Sequence, residues 1–273
     1  MTEEQIYDEN QKKQVNKLVD DMTLFDDDLM GHVFDKNIEA TELILRIILG
    51  EDIRVISVTG QDELKNPIVG GRDITLDVHA IDSNGREIDI EVQGNASGAV
   101  VERARFHSSM VDARMLKSGQ DFKELKDSYV IFIYKHDKFK EGKPLYHIDR
   151  YVRETGKLFE DGSHIIYVNG SYKGDDEIAR LMEDFHQKES EGIHFKALAD
   201  GVKHFKETEE GREIMCESVK RYAMEYGQEC ADKTMLEGVK NLMKSAHVSL
   251  EQAIQMLGLK GTTKDYIVSQ LQK

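Results

Sequence analysis

The sequence lacks the features of several protein classes. It contains no tryptophan, two prolines and two cysteines, and no apolar run approaches the roughly 20 residues that a membrane-spanning helix needs. Cys216 and Cys230 lie in helical patterns and do not have the spacing of metal ligands, so we assign them no chemistry. We therefore expect a reduced, cytoplasmic protein without a membrane partner.

An excess of positive charge is also missing. The chain carries 37 lysines and arginines against 52 aspartates and glutamates, a net charge of −15, whereas nucleic-acid-binding proteins use positive charge to neutralise phosphates. The acidity lies mostly outside the middle region, because residues 53–174 hold 18 basic and 19 acidic side chains while residues 1–52 hold 5 and 14. A modest DNA surface in residues 53–174 is compatible with this composition. Two basic segments there are Arg103, Arg105, Arg114 and Lys117, and Lys135, Lys138, Lys140 and Lys143.

Residues 73–93 are predicted to form a β-hairpin. Apolar and polar residues alternate on both sides of Asn84-Gly85, which is a strong turn signal. If one face is buried, apolar residues must lie opposite each other, and a three-residue loop (83–85) with Gly85 in the left-handed conformation achieves this. The apolar positions all have even numbers: Ile74, Leu76, Val78 and Ala80 on the first strand, and Ile88, Ile90 and Val92 on the second.

This register places two acids opposite each other. Asp82 pairs with Arg86, so Asp77 lies opposite Glu91 on the polar face of the hairpin. Two carboxylates about 5 Å apart repel by roughly 3 kcal/mol at an effective dielectric constant of about 20. A divalent cation held by oxygen ligands is the simplest compensation. The hairpin alone leaves open the alternative, a solvated acidic face that tolerates the repulsion.

At these residues the sequence resembles a known nuclease superfamily. Asp77, followed across the hairpin by Glu91-Val92-Gln93, is similar to the PD-(D/E)xK nucleases, in which an Asp lies on one core strand and Glu-x-Lys on the next. Gln in place of Lys resembles one branch, the PD-(D/E)xK family transposases, also called recombination-promoting nucleases. Residues 103–110 resemble the Arg-containing helix of that branch, and residues 119–122 with 129–133 resemble its next core strand. The resemblance covers residues 29–198.

The resemblance implies a metal-dependent endonuclease that hydrolyses DNA phosphodiester bonds, in recombination or mobile-element processing. It implies that Asp77, Glu91 and the backbone carbonyl of Val92 hold Mg²⁺, or another divalent ion such as Mn²⁺. Gln93 would occupy the position of the catalytic lysine. Because an amide only forms hydrogen bonds, we expect slower chemistry or a greater dependence on the metal.

Two helices carry the remaining candidates. The predicted helix at residues 99–117 has expected core positions at Val100, Ala104, Val111 and Met115, with Met110 beside them. On its other surfaces, Arg103 and Arg105 are candidate contacts for DNA phosphates, with merely solvated side chains as the open alternative, and His107, placed there too, is expected to be structural. An acid of the first helix sometimes assists the metal in this superfamily. The sequence does not decide between Glu39 and Glu42, and solvent-facing glutamates are the ordinary alternative.

The expected fold class is α/β, with a restriction-endonuclease-like core in which a mixed central sheet is flanked by helices. A helix is predicted at 35–49, and strands are predicted at 53–59, in the hairpin, and at 129–134, 145–151 and 165–168. Helical periodicity dominates from residue 175 onward. We expect a polar acidic N-terminal segment (1–28), the nuclease-like core (29–174) and a C-terminal all-helical region (175–273).

Two other interpretations remain open. The chain could be a DNA-binding or oligomeric assembly protein on a nuclease fold with little or no catalysis, which its acidity and Gln93 favour. It could also be an unrelated α/β protein with an oligomerising tail. The opposed carboxylates favour the enzyme, because a DNA-binding surface gains nothing from two anions at its centre. The last two predicted helices, around Gly258, resemble a DNA-binding helix-turn-helix, but the second of them, residues 262–271, holds only Lys264 as an internal cation. We therefore expect the C-terminal helices to support packing or self-association, as a homodimer or higher homo-oligomer.

Overall fold

The computed structural model describes residues 3–95 and 98–271. The chain forms two compact units, Met1–Cys216 and Glu217–Lys273. The boundaries predicted after residues 28 and 174 remain predictions. Within the described residues, no helix is long and apolar enough to cross a membrane.

A six-stranded mixed sheet forms the centre of the first unit. Its order is β1-β2-β3-β4-β8-β5; β3, β4 and β8 are parallel, and β1, β2 and β5 are antiparallel to their neighbours. A separate pair, β6 and β7, follows the edge strand β5 in the chain. The strands are β1 (Val55–Leu64), β2 (Ile74–Asp82), β3 (Glu87–Gln93), β4 (Ser128–Tyr134), β5 (Leu145–Ile148), β6 (Tyr151–Val152), β7 (Lys157–Leu158) and β8 (Ser163–Asn169).

Helices flank this sheet, which confirms the predicted fold class. Helix α2 contacts β1, β2 and β3, α3 contacts β1, and α4 contacts β3, β4 and β8. The α-helices of the described residues are α1 (Glu3–Asp21), α2 (Asp27–Phe34), α3 (Ile38–Leu49), α4 (Val101–Met115), α5 (Glu177–His186), α6 (Lys196–Glu207), α7 (Glu209–Ala246), α8 (Leu250–Met256) and α9 (Gly261–Leu271).

The predicted first helix corresponds to α3, and its ends show why it forms. The Asn37 side chain accepts a hydrogen bond from the Ala40 N–H at the start, and Gly50 ends the helix with a left-handed φ of 73°. Helix α2, immediately before it, was not predicted. Its core residues come directly after the aspartates 26–28.

The hairpin has the predicted register. His79 pairs with Asp89 and Val78 with Ile90, and the Asp82 N–H donates to the Arg86 carbonyl oxygen. Gly85 has a φ of 79°, in the left-handed region, as the three-residue loop requires. The same register continued toward the strand ends places Asp77 opposite Glu91.

The apolar alternation of β2 is broken at its beginning. Ile74 and Leu76 pack with Met110 and Val111 of α4. Further along, Val78 pairs with Gly60 of β1, which lies so close to α2 that a side chain there would meet the Gly31 carbonyl. The single apolar face predicted for residues 74–80 is therefore wrong. The face of the sheet on which the apolar residues lie thus changes between Leu76 and Val78. In β1, Gln61 lies between the partners of these two residues, Asp62 and Gly60, and has a φ of 52°, in the left-handed region.

Helix α4 also differs from its prediction. Ala104 and Val111 are buried as expected, but Val100 precedes the helix and is 37% exposed. His107, predicted on another surface of this helix, is buried against the sheet, as is Ser108. Around them, Ala99 and Ala104 form one apolar cluster with Val130, Phe132, Tyr134 and Tyr167 of the sheet.

The second unit is helical. The last part of α7 packs with α8 and α9 around Leu236, Val239, Ala253 and Ile267. Ser249 caps α8: its hydroxyl accepts from the Gln252 N–H, and the Gln252 side chain accepts from the Ser249 N–H. Self-association of these helices remains a prediction.

Candidate active site

Strands β2 and β3 separate at the two acids that the register places opposite each other. Their backbone pairing ends at Val78 and Ile90. Beyond it, the Asp77 N–H donates to Glu91 Oε1 (3.0 Å), and the Val92 N–H donates to Asp77 Oδ2 (2.8 Å). Side-chain carboxylates thus replace the backbone partners, which brings Asp77 and Glu91 together where the strands part.

Glu91 also belongs to a buried hydrogen-bond network between β3 and α4. Its Oε2 accepts from the Arg103 guanidinium at 2.5 Å, and the Arg103 Nε–H donates to His107 Nε2 at 3.3 Å. Because an arginine can only donate, His107 Nε2 is the acceptor, and the Nδ1–H donates to Asp89 Oδ2 at 2.8 Å. Asp89, Glu91 and His107 each offer a ligand atom within 4.8 Å of the others. Such a cluster could hold a metal ion.

Burial and mutual repulsion raise the pKa of all three carboxyls at this site. Loss of water is the largest cause: it raises the pKa of Asp89 and of Glu91 to about 8, and that of Asp77 well above its usual value. The neighbouring carboxylates add to each shift. In addition, Asp89 Oδ1 is buried without a hydrogen-bond partner among the described residues. These carboxyls therefore favour their protonated forms near neutral pH, and a bound cation would stabilise the ionised forms.

Asp77 faces a cleft between β2, α2 and α4. The cleft has a volume of about 640 Å³, and its walls include Asp27 of α2, Thr75 of β2 and Arg103 and Phe106 of α4. Asp77 is 6% exposed, whereas Glu91 is fully buried and does not line the cleft. A ligand that enters the cleft therefore meets Asp77 and Arg103 before Glu91.

Asp27, the first residue of α2, is a site residue that the sequence analysis missed. It lines the same cleft as Asp77, and its charge contributes, after burial and Glu91, to the raised pKa of Asp77. The two candidate first-helix acids, Glu39 and Glu42, line a different cavity, and Glu42 accepts a hydrogen bond from the backbone of β1. The available signal was an aspartate run directly before the apolar residues of α2.

Of the other three predicted site residues, Gln93 and Arg103 lie at the cleft or its wall, and Arg105 does not. Gln93 is half-buried next to Tyr134 of β4, and its Oε1 lies against Gly98, which lines the cleft. The Gln93 amide therefore supports the cleft wall. Arg103 lies at the cleft, whereas Arg105 is exposed on α4 and does not line it.

Asp89 and His107 were not predicted as site residues, although the sequence held a signal for each. Asp89 lies two residues before Glu91 and so shares its face of β3. His107 lies three residues after Ala104 and four before Val111, which is the spacing of a buried helix stripe. Burial lowers the pKa of His107, which agrees with the neutral imidazole that its hydrogen bonds require.

A second polar network lies at the other end of the hairpin. His79 Nδ1 is 2.8 Å from Asp62 Oδ2, its Nε2 is 3.1 Å from Glu87 Oε2, and Arg114 is 3.3 Å from the same Asp62 oxygen. Burial opposes charge on His79, but its hydrogen bonds to Glu87 and Asp62 outweigh this and raise its pKa. Positive and negative groups balance here, unlike at the three acids.

The sequence model of one protein family, described as PD-(D/E)XK nuclease family transposase, matches residues 35–171, half of the chain. The chain belongs to this family. No curated protein and no solved structure matches it. The matched region contains Asp77, Glu91 and Arg103, and it begins after Asp27. The resemblance stated from the sequence is confirmed at the level of the family.

Proposed function

We propose that this PD-(D/E)XK nuclease family transposase is a divalent-metal-dependent DNA endonuclease that acts in recombination or mobile-element processing. The observation that carries the proposal is the meeting of Asp77 and Glu91 where β2 and β3 separate, beside Arg103 at an open cleft. Burying such charges opposes folding. A surface that only binds DNA has no use for them, whereas a metal-dependent nuclease requires them.

A hard divalent cation such as Mg²⁺ or Mn²⁺ fits the donors of this site. Asp77, Glu91 and the Val92 carbonyl offer oxygen atoms, which Mg²⁺ prefers. The raised pKa values of the acids and the unpartnered oxygen of Asp89 agree with a site that binds a cation. His107 is the weaker candidate ligand, because both of its ring nitrogens already form hydrogen bonds. When bound, the cation supplies a Lewis acid that polarises the scissile phosphate and acidifies a water.

The side chains around these acids position the DNA backbone. Arg103 is bonded to Glu91, but 34% of its side chain is exposed and it lines the cleft, so it can also donate to a phosphate oxygen. His107 holds the Arg103 Nε–H and is itself held by Asp89. We assign Arg103 to phosphate binding, and His107 and Asp89 to its positioning. Arg105 has no role in the cleft.

Asp27 and Gln93 complete the proposed site from two sides. Asp27 offers a further carboxylate across the cleft from Asp77, in the role sought for Glu39 or Glu42. Gln93 cannot exchange a proton as a lysine can, so it contributes hydrogen bonds and shape. Proton transfer at the reacting phosphate then depends on water and on the cation, and we expect the rate to be low.

Cleavage of supercoiled plasmid at low salt tests the proposal. Wild-type protein should nick or linearise the plasmid with Mg²⁺ or Mn²⁺ and fail with EDTA. Asp77→Ala and Glu91→Ala should lose about 10³-fold or more, as when a dominant electrostatic contribution is removed. The matched control is Glu102→Ala, since Glu102 is an exposed acid that lines the same cleft.

Absence of cleavage by the folded protein with several divalent metals would contradict the proposal. If wild type and both alanine variants then bound DNA equally well, the chain would be a DNA-binding or assembly protein on a nuclease fold. Equal loss of activity in Glu102→Ala would also contradict it, because the effect would not be specific to the opposed acids.

A further inference from the structure

Residues 135–143, here called the basic loop, join β4 to β5 and hold four lysines that the proposed active site does not use. Lys140 and Lys143 are exposed, and Lys135 and Lys138 are half-buried. None of the four forms an ion pair with a described residue, whereas Lys65, Lys188 and Lys196 of the same unit each pair with an acid.

One carboxylate fixes the shape of the basic loop. Asp137 accepts hydrogen bonds from the backbone N–H groups of residues 139, 140 and 142 at 3.1, 2.9 and 2.7 Å. It also accepts from the Tyr146 hydroxyl at 2.7 Å, and that hydroxyl accepts from the N–H groups of residues 141 and 143. Lys140 has a φ of 59°, a left-handed conformation that a lysine adopts only when its surroundings hold it. The lysines are thus presented on a preformed loop.

The basic loop lies at the same end of the sheet as the candidate active site. The Lys135 N–H donates to the Gln93 carbonyl at 2.9 Å, and the Asn169 amide at the end of β8 donates to the Lys143 carbonyl at 3.0 Å. The loop therefore crosses the carboxyl ends of β4 and β8, one and two strand positions from Gln93. With a strand spacing of about 4.8 Å, this is about 5 to 10 Å.

We propose that the basic loop binds the phosphate backbone of DNA beside the cleft, which rests on the proposed function for the identity of the substrate. Its positive charge complements phosphate, and its preformed shape keeps the cost of ordering low. Phosphates along one strand of B-DNA advance by about 3.4 Å. Because Asp77 lies on β2, two and three strand positions from β4 and β8, the loop is about 10 to 14 Å from it, and the lysines then contact phosphates about three to four nucleotides from the one at Asp77.

The chain offers a matched basic segment at the opposite end of the sheet. Lys117, Lys123 and Lys126 are exposed in the connection between α4 and β4. Lys126 lies beside Gly85, in the turn at the other end of β3 from Gln93. These lysines carry the same charge and lie far from the cleft, so their replacement changes net charge without changing the proposed contact.

Binding of a fluorescent 30-base-pair duplex to full-length protein in EDTA tests the proposal without cleavage. Kd is measured from 50 to 200 mM salt for wild type, K138Q/K140Q/K143Q and K117Q/K123Q/K126Q. Because each phosphate contact contributes about 0.9 to the slope of log K against log salt, the loop variant should lose about 2.7 from the slope. The control variant should keep the wild-type slope. Equal slopes for the two triple variants, or no DNA binding by wild type, would overturn the proposal.

The variant Asp137→Asn tests whether DNA binding depends on the shape of the basic loop or only on its positive charge. The substitution removes a negative charge next to the lysines, so simple electrostatics predicts tighter DNA binding. Loss of the carboxylate should instead loosen the loop, and we expect binding at least about threefold weaker in a protein whose thermal midpoint shows that it is folded. Tighter binding would overturn the preformed loop.

The two proposals fail in different ways. DNA binding with a loop-dependent slope but no metal-dependent cleavage would remove the nuclease and leave the basic loop as a DNA contact. Cleavage that disappears in Asp77→Ala, together with a loop variant that keeps the wild-type Kd and slope, would remove the basic loop alone.

Discussion

The two faces of β3 are equally buried and chemically opposite. Ile88 and Ile90, on the face toward α2, are fully buried, and so are Asp89 and Glu91 on the face toward α4. Burial of the apolar face stabilises the fold by about 25 cal/mol per Å². The acidic face opposes folding, because each carboxyl loses water and repels the next. A buried face of this kind indicates binding or chemistry more than packing.

The two polar networks of the hairpin, around His79 and around the three acids, also differ from each other. At His79, two carboxylates and Arg114 balance one another, as expected of a structural network. At Asp77, Asp89 and Glu91, Arg103 is the only arginine or lysine among the described residues that forms an ion pair with one of the acids. The imbalance is confined to the end of β3 that faces the cleft, so the unusual charge and the access to solvent occur together.

The largest expected effect is on the free energy of unfolding, when neighbouring residues on the two faces of β3 are replaced. Ile90→Ala should lower the free energy of unfolding by about 2–5 kcal/mol, because it removes buried methyl groups and leaves a cavity. Glu91→Gln keeps the shape and removes the cost of burying a carboxyl, but it also removes the acceptor of the Arg103 bond. Because 34% of the Arg103 side chain is exposed and can bind water instead, the net effect should lie within about 1 kcal/mol of zero. Urea denaturation measures both. A Glu91→Gln loss as large as that of Ile90→Ala would make Glu91 a structural residue.

The second-largest effect is expected in the pH dependence of stability, which should differ between the acidic and the apolar face of β3. With pKa values of about 8, Asp89 and Glu91 keep protons in the folded state that the unfolded chain has released above about pH 4 to 5. The free energy of unfolding should therefore fall as pH rises from 5 to 8, by up to about 1.4 kcal/mol per pH unit for each carboxyl.

Glu91→Gln removes one of these titrating groups, so it should flatten the profile, whereas Ile90→Ala should leave its slope unchanged. Thermal midpoints in EDTA across this pH range give the comparison. A Glu91→Gln slope equal to that of the wild type would contradict the raised pKa.

A smaller effect should follow from the acid across the cleft. Asp27→Asn should weaken Mn²⁺ binding about 10- to 100-fold, the range seen when groups supporting metal ligands are removed. Asp28→Asn is the matched control, because Asp28 is adjacent in sequence and does not line the cleft. Equal affinities of the two variants would remove Asp27 from the site.

The smallest effect is expected at Gln93, which ends the acidic face. Gln93→Ala should lower the single-turnover cleavage rate about tenfold or less, because an amide contributes hydrogen bonds and no proton transfer. Metal affinity should stay within about twofold of the wild type, since Gln93 donates no ligand in our proposal. A loss of rate as large as that of Asp77→Ala would make the amide essential to the chemistry.

Local patterns predicted the hairpin register and the meeting of Asp77 with Glu91. Alternation and Asn84-Gly85 act over a few residues, so the sequence contains them directly. The change of face at Leu76 accompanies the left-handed Gln61 of the neighbouring strand, which alternation does not reveal.

The rest of the site depends on tertiary packing. Periodicity alone predicts that polar residues face solvent, whereas the packing of α4 on the sheet buries Asp89 and His107. Asp27 reaches the cleft only because α2 packs beside β1, β2 and β3, a contact between segments far apart in sequence. Arg103 was predicted to contact phosphate, and its bond to Glu91 was not anticipated.

Metal binding by the acidic face is the central claim, and calorimetric titration with Mn²⁺ at pH 8 tests it most directly. Wild-type protein should bind about one ion per chain, more weakly at pH 6 because protons compete for Asp77 and Glu91. Asp77→Asn and Glu91→Gln should abolish this binding, while Ile90→Val should retain it. No binding at pH 8, or binding unchanged in both acid variants, would contradict the account.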